Sequence, residues 1–548
     1  MIYASVPYGG NKLSSQHPRA AEDFPAYLSA GQTPLITAML EPSFYAQGAA
    51  EIGHVETHIS HLFFVGDLVY KVKKAVRFSF LDYSTLARRK FCLQEELRLN
   101  RRLAPSVYLG VLPISHENES WQLGSDARPV EYALVMRRLP EKRMLDFLLG
   151  RNRVSAEMMR ALAEVLVPFH AGAPTGGKIN GVGNPLAIRT MWEENLADVR
   201  PFVGQLLDPF SFEALRDFGR CFAARHRDLL VCRVLEGRIR EGHGDLHCGH
   251  ICFAPEGIQI FDCVEFNPRF RYGDVASEVA FLVMDMESRG AAELAQEFLN
   301  RYLEMTNDHA LSVLLPFYKC QRALVRGKVE ALRSGGVSPL ASRYFDYACR
   351  VRWEAMQPFL IVVCGLTGSG KSALARELTR RLGVRTIGSD ATRKALAGIT
   401  GGQGGIAYEE GIYHPAVTQR TYAKMAEEAE KLLIRRQGVV LDGTFLRSAQ
   451  REAIARLAAK HRAPLAVIHC QSADGIVEER LKRRAAEGQD LSDGRWEIYL
   501  KQKAAQEPFE EVSRNAYLAL DTEADVSELR KQVEPFLQRL FLGEAGAN

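Results

Sequence analysis

The run Gly365-Leu-Thr-Gly-Ser-Gly-Lys371-Ser372 constrains this chain more than any other stretch. Its closely spaced glycines suit neither a regular helix nor a strand. Yet they lie directly between the apolar run FLIVVC and an Ala/Leu/Glu/Arg segment with helical spacing. A strand, a glycine turn and a helix in that order aim backbone N–H groups at one point, where the helix N-terminus adds partial positive charge. The pattern GxxxxGK[ST] is met in full. Gly365, Thr367, Gly368, Ser369, Gly370, Lys371, Ser372 and Ala373 are therefore expected to wrap a nucleotide's phosphates. Lys371 can reach the β- and γ-phosphates, and Ser372 can ligate magnesium. The bland alternative is a glycine-rich turn with an incidental lysine, and the strand–helix context argues against it.

After Pro358, apolar runs alternate with long helical patterns: FLIVVC, VRTIGSD, GVVLDGTF and PLAVIHCQ. That is the reading of a parallel sheet with helical crossovers. Strand C-termini face the ligand in such sheets. Asp442, ending GVVLDGTF, is expected to share magnesium with Ser372, although a turn-capping aspartate would look the same. Asp390 follows the second strand, with Arg393 one helical turn on. There Asp390 can accept a proton from a substrate hydroxyl, and it can also serve as an N-cap. Arg480, Arg483, Arg484 and Arg495 stand at offsets that could close over a transferred phosphate, or could form a solvated basic face.

This third, from about Phe359 to Leu542, resembles the P-loop kinases of the polynucleotide-kinase and zeta-toxin type. The resemblance implies that Asp390 and Arg393 bind and activate an acceptor hydroxyl while a lid arginine closes on the phosphates. The lid correspondence is loose.

A second constellation lies upstream. His243-Gly-Asp245-Leu-His247-Cys-Gly-His250 precedes a strand, a Pro-Glu-Gly turn and a strand ending at Asp262. A kinase catalytic loop needs an aspartate to orient the acceptor, a metal ligand five positions on, and a metal aspartate after the next hairpin. Asp245, His250 and Asp262 occupy those places. The matching lysine and glutamate are Lys71 in LVYKVKK and Glu96 in QEELRLNRRL. Lys73 shares a strand face with Lys71, and Glu95 adjoins Glu96, so each has a rival.

HGDLH, the FDCVEFN strand end, LAEVLVPFHA and YGDVASEVAFL resemble the aminoglycoside phosphotransferase family, whose fold is protein-kinase-like. The resemblance covers about Leu35 to Arg350. That family usually carries asparagine where this chain has His250, and imidazole suits magnesium poorly. His243 and His247 are expected to brace the loop. A zinc site built from these histidines with Cys248 or Cys252 matches no standard spacing.

The expected fold is thus a mixed α/β and α+β multidomain chain. It has a weakly ordered arm at 1–32 and a two-lobed kinase-like domain at 33–355, with a small lobe at 33–140 and a helical lobe at 141–355. A P-loop kinase domain follows at 356–548. The order looks like a bacterial fusion of the two kinase types, and no long flexible linker separates them, so packed domains are expected. The 548 residues suffice for this. The net charge of +4 supplies no global field for nucleic acid or anionic lipid. The ten cysteines are scattered without a CxxC pair and read as reduced thiols. The start shows no signal-peptide pattern and no apolar run is long enough to cross a bilayer, so the expected location is cytoplasmic.

Two ATP-dependent, magnesium-using phosphotransfer centres are the reading these residues support. An alternative makes the N-terminal domain an ATP-binding regulatory module, with His250 as the reason. From Val351 onward there are 29 Lys and Arg against 26 Asp and Glu. That favours a small-molecule or nucleotide-like acceptor over a polynucleotide, which usually meets a stronger basic footprint. The count of 8 against 3 in 351–400 keeps a nucleic-acid 5′ end open. Glu265, Asp274, Glu278, Asp285 and Glu287 suggest a polycationic aminoglycoside as a further option.

Overall fold

The computed structural model describes residues 32–46, 51–78, 81–398, 414–487 and 495–542. The segment read as an arm lies outside them apart from Gln32. The chain forms two compact units that interleave along the sequence. One takes residues up to Asn195 and His226–Tyr344, and the other takes Leu196–Arg225 and Phe345 onward.

The first unit opens on a six-stranded antiparallel sheet of β1 (Ile52–Glu56), β2 (Ser60–Val65), β3 (Leu68–Lys73), β4 (Tyr108–Glu117), β5 (Ser120–Leu123) and β6 (Pro129–Arg137). Its order is β1-β2-β3-β6-β4-β5. The Gly66-Asp67 turn closes the β2–β3 hairpin with Val65 opposite Leu68, as the alternating sequence requires. The helix Leu86–Asn100 starts at Thr85, whose hydroxyl caps the Arg88 N–H. Its Leu93 joins Leu62, Val69, Leu134 and Met136 in the core beneath the sheet.

Helices make up most of the rest, including Ala156–Gly172, Val275–Ser288 and His309–Arg333. Two short ribbons interrupt them: β7 (Ile239–Glu241) with β10 (Tyr272–Asp274), and β8 (Ile251–Ala254) with β9 (Gly257–Ile260). The β8–β9 hairpin is the strand-turn-strand block of the sequence, and β7 and β10 are too short to show a period.

The second unit is a five-stranded sheet, parallel throughout: β11 (Leu360–Cys364), β12 (Arg385–Gly388), β13 (Val439–Asp442), β14 (Leu465–Gln471) and β15 (Tyr517–Asp521). The order β12-β13-β11-β14-β15 puts β11, which leads into the glycine loop, in the middle. Leu360, Val362, Val439, Leu441 and Val467 are buried, the pattern of strands covered on both faces. The helix Pro209–Arg225 belongs to this unit and meets the helix Val526–Leu542. There Arg225 Nη1 donates to the Phe541 carbonyl at 3.0 Å and Gln538 Nε2 to the Ala214 carbonyl at 3.1 Å. Among the described residues no helix is long and apolar enough to cross a membrane. None of the ten cysteines is in a disulfide.

Candidate active sites

In the first unit, strand β3 and the helix Leu86–Asn100 deliver a buried ion cluster. Lys71 Nζ lies 2.5 Å from Glu96 Oε1 and 3.5 Å from Asp262 Oδ1. Lys73 Nζ lies 2.6 Å from Glu96 Oε2 and also pairs with Glu265. The Tyr83 hydroxyl donates to the same Glu265 at 2.8 Å. The two lysines differ in their second anion. Lys71 faces the aspartate that follows the β8–β9 hairpin, whereas Lys73 is sealed in. The rival Glu95 pairs instead with Arg98, at 2.9 Å.

The loop His243–His250 is held from several sides. Gly244 has φ +88°, and a Cβ there would come within 2.9 Å of the Phe270 carbonyl, so glycine is required. Glu278 Oε1 accepts from the His243 N–H at 2.6 Å and from the Gly244 N–H, while its Oε2 lies 3.1 Å from His170 Nε2. His170 Nδ1 meets the Tyr302 hydroxyl at 2.8 Å. Burial pushes the Glu278 carboxyl up, but the His170 bond and charge and the backbone donors bring it down to about 2. His243 bonds the Phe261 carbonyl through Nε2 at 2.9 Å and accepts from the Asp245 N–H at 3.3 Å. His247 Nδ1 accepts from the Gly249 N–H at 3.1 Å. Both imidazoles thus tie the loop to itself.

Asp245 is the loop's partly exposed carboxylate. Burial raises its pKa, and His247 and His250 outweigh that and hold it well below the usual carboxylate range. His250 is fully buried, with Nδ1 at 2.9 Å from the Asp245 carbonyl and Nε2 at 3.5 Å from Asp262 Oδ2. Burial and the neighbouring His247 keep its pKa far below that of an ordinary histidine. Asp262 adopts φ +64°, a strained backbone for aspartate of the kind functional sites retain. Its N–H is anchored by the Tyr108 hydroxyl at 3.1 Å. The sequence did not mark Tyr108, and it offered Glu278 only as part of an acidic lining, because each acts through a contact distant along the chain.

The five carboxylates beyond Asp262 are engaged inside the protein. Glu265 takes Lys73, Asp274 takes Arg233 at 2.5 Å, Asp285 takes Arg289 at 3.1 Å and the Cys248 N–H at 3.0 Å, and Glu287 takes Lys319 at 3.0 Å. With Glu278 bound to the loop, all five have partners within this unit.

In the second unit, Gly365, Gly368 and Gly370 have φ of 146°, 78° and 81° and wind the loop into the helix Lys371–Leu382. Added Cβ atoms would strike the Cys470 carbonyl at Gly365 and Val477 at Gly368. Gln502 Oε1 accepts from the Thr367 N–H at 2.9 Å and fixes the loop from the helix Trp496–Ala505, a residue no motif pointed to. Ser369 is buried, and its backbone carbonyl accepts from the Thr522 hydroxyl at 2.7 Å. Lys371 Nζ donates to the Leu366 carbonyl at 3.3 Å, inside the loop. Ala373 and Ser372 lie in the first turn of the helix.

Parallel register places Asp442 level with Val363 on one side and Gly388 on the other, at the edge carrying the loop. Asp442 Oδ1 is buried without a hydrogen-bond partner. Burial raises its pKa, against the pull of Lys371 and a bond from the Ser372 hydroxyl. An orphaned carboxylate oxygen beside that hydroxyl fits a hard cation such as magnesium. Asp390, on the helix Ser389–Leu396, is partly exposed and lies 3.0 Å from the buried Arg393 through Nη1. Of the lid candidates, Arg480 donates to the Thr522 carbonyl at 2.6 Å beside the loop. Arg483 and Arg484 share its helix, Asp474–Glu487, and Arg495 precedes the helix Trp496–Ala505. The chain joining the two helices lies outside the described residues.

A lysine–glutamate–aspartate cluster over a bracing loop, together with a glycine loop at the edge of a parallel sheet, defines a phosphotransferase of the kinase class. The model of the phosphotransferase enzyme family matches residues 70–314, and that of an AAA domain matches 360–509. An uncharacterized protein of Mycobacterium tuberculosis H37Rv is 31% identical over 443 residues, covering 80% of this chain and 87% of its own. A Mycobacterium bovis protein matches with the same figures. The chain belongs to the same family as these mycobacterial proteins; in it a phosphotransferase-family domain precedes a P-loop domain, and it is an ATP-dependent phosphotransferase of the kinase type.

Similar solved structures include a gluconokinase from Sinorhizobium meliloti 1021. It is 19% identical and covers 33% of this chain and 94% of its own, with a TM-score of 0.25. A choline/ethanolamine kinase family protein from Mesorhizobium loti is 13% identical and covers 58% and 93%, with a TM-score of 0.36.

Proposed function

We propose that the chain has two phosphotransfer centres, and that the C-terminal one passes the γ-phosphate of ATP to a hydroxyl held by Asp390. The observation that carries this reading is the 3.0 Å pair of Asp390 and Arg393, next to the strand end that lies level with Asp442. A motor ATPase has no need of a partly exposed carboxylate there, backed by a buried guanidinium. A kinase needs one to orient an acceptor.

In this scheme the glycine loop wraps the phosphates and Lys371 leaves the Leu366 carbonyl to reach them. The acceptor oxygen forms a bond to the γ-phosphorus as the bond to the β,γ-bridging oxygen breaks. ADP departs, and the hydroxyl proton passes to Asp390. Arg393 fixes the rotamer of Asp390 and offsets the charge near it. Ser372 and Asp442 would hold magnesium, which when bound neutralises phosphate charge. The N-terminal centre supplies the same logic from other parts: Lys71, set by Glu96, for the nucleotide phosphates, and Asp245 for the second acceptor. A small or nucleotide-like acceptor agrees best with the weak basic excess of the C-terminal third.

One feature favours a second reading, in which the N-terminal unit binds nucleotide and regulates. His250 is wedged 3.6 Å from Asp245 Oδ2 and 3.5 Å from Asp262 Oδ2, where an oxygen ligand would serve magnesium better. A screen with γ-labelled ATP tests both readings. The acceptors are nucleosides, sugars, aminoglycosides and 5′-hydroxyl oligonucleotides, presented to wild type, Asp245→Asn and Lys371→Ala. Two centres require each variant to lose a different labelled product. If Asp245→Asn labels every acceptor as wild type does, the regulatory reading takes over. If Lys371→Ala does so, the C-terminal assignment fails.

A further inference from the structure

We propose that the metal position of the N-terminal centre, between His250 Nε2 and Asp262 Oδ2, is built for a first-row transition-metal dication of the zinc or cobalt kind and not for magnesium. The inference rests on reading this unit as a nucleotide site only in calling the ion a cofactor; the ligand geometry stands without it.

The argument starts from the tautomer of His250. Its Nδ1 lies 2.9 Å from the backbone carbonyl of Asp245. A carbonyl only accepts, so Nδ1 carries the proton and Nε2 carries the lone pair. A metal-binding histidine characteristically donates its other N–H to a carbonyl in this way, which fixes both tautomer and ring direction. The ring cannot turn away, because it is fully buried and packs on His247 with centroids 3.9 Å apart and on Phe261 at 5.7 Å.

Nε2 points at Asp262 Oδ2 across 3.5 Å. The other oxygen, Oδ1, is turned to Lys71 at 3.5 Å. The carboxylate is therefore divided, with one oxygen toward the phosphate-binding lysine and one toward the imidazole. A gap of 3.5 Å is what two ligands on one small cation span when each lies about 2.1 Å from it. Phosphate oxygens and water would complete the shell.

A rival trio exists. One ligand atom each from Asp245, His247 and His250 fall within 4.8 Å of one another. The hydrogen bonds disqualify it. The nitrogen of His250 that faces Asp245 is Nδ1, which bears the proton. His247 Nδ1 accepts from the Gly249 N–H at 3.1 Å, and its Nε2 faces the Arg326 guanidinium at 3.4 Å, so both of its nitrogens are engaged by donors. With His247 engaged on both nitrogens and the His250 Nδ1–H turned to Asp245, the nitrogen donor for a metal is His250 Nε2.

The donor set then chooses the metal. Magnesium demands oxygen and dehydrates reluctantly, whereas imidazole suits zinc and its neighbours. The P-loop centre, with only hydroxyl and carboxylate oxygens from Ser372 and Asp442, remains a magnesium site. One chain thus carries two nucleotide centres with different metal preferences.

The test uses the full chain loaded with Co2+ and read by proton NMR. A histidine bound through Nε2 shows its Nδ1–H as a strongly shifted signal that vanishes in D2O. We expect one such signal. Zn2+ should displace it, excess Mg2+ should not, and it should be absent from His250→Asn and Asp262→Asn. Each variant is checked for folding by circular dichroism, and either folded one suffices. Absence of the signal in wild type, its persistence in a folded variant, or its displacement by Mg2+ overturns the proposal. AMP-PNP binding to the Lys371→Ala chain is scored separately. Signal without nucleotide binding keeps the metal site and removes the phosphotransfer reading of this unit, and binding without signal does the opposite.

Discussion

Lys71 Nζ and Lys73 Nζ grip opposite oxygens of the same carboxylate, Glu96, at 2.5 Å and 2.6 Å. Strand periodicity puts both lysines on one face, so one glutamate can serve two cations two residues apart. Their roles diverge through Asp262 and Glu265. Burial works against the Lys73 charge, yet Glu265 and Glu96 hold its pKa well above the ordinary lysine value.

Lys71→Met should therefore abolish nucleotide binding at the N-terminal centre while leaving Glu96 with a partner. Lys73→Met should leave the buried Glu265 without its cation, while Glu96 keeps Lys71, and should cost about 3–5 kcal/mol, the usual penalty for breaking a buried pair. Urea unfolding and AMP-PNP binding, both in a Lys371→Ala background, measure the two effects. The opposite pattern would make Lys73 the nucleotide lysine.

Glu278→Gln should loosen the loop that carries Asp245. Its carboxylate is held at about 2, below the ordinary 4.5. A depressed acid contributes stability that is complete above its unfolded value and is lost as pH falls through the folded one. The wild-type advantage over Glu278→Gln should thus be full at pH 7, about 3 kcal/mol by linkage. It should shrink from about pH 4.5 down to about pH 2. Denaturant titrations at a series of pH values read this directly, and a pH-independent difference would assign Glu278 a packing role alone.

The parts legible in the sequence are those whose chemistry is local. The glycine loop could be read because a turn with φ values of 146°, 78° and 81° admits little but glycine. The loop around Asp245 could be read because several of its histidine bonds, to the Asp245 N–H, the Gly249 N–H and the Asp245 carbonyl, close within eight residues of chain. The choice between Lys71 and Lys73 was not legible, since period 2 treats them alike and only the folded chain brings Asp262 to one and Glu265 to the other. Gln502 reaches Thr367 across 135 residues, and Glu278 reaches His243 across 35. No spacing rule encodes such contacts. Strand β15, YLALD, escaped because it is short and follows an irregular stretch. The membership of Leu196–Arg225 in the second unit escaped because its helical pattern continues that of its neighbours.

Asp390→Asn should keep ATP binding and lose turnover at the C-terminal centre by about 10²–10⁴-fold, the span of general-base removal. Arg393→Ala should lower turnover and also raise the acceptor KM, because Asp390 loses the partner 3.0 Å away that fixes it. ATP binding and steady-state kinetics with the acceptor found by the screen separate these effects. Unchanged turnover in both variants would reduce the pair to a helix-start ion pair.

Asp442 offers a test in which the ligand-free and ligand-bound proteins respond in opposite senses. Without a cation its buried Oδ1 has no hydrogen-bond partner and burial disfavours its charge. Asp442→Asn keeps the shape and removes the charge, so the ligand-free variant should melt at or above the wild-type temperature. With ATP and magnesium at about 100 times the dissociation constant, wild type should gain about 2.7 kcal/mol from mass action. The variant should gain far less, because the carboxylate no longer faces the ion. Thermal melts of the Lys71→Met chain, in which only the P-loop centre binds nucleotide, isolate this response. A turn-capping aspartate predicts the reverse: the ligand-free variant would be destabilised, and its response to magnesium and ATP would equal that of the chain with Asp442 intact.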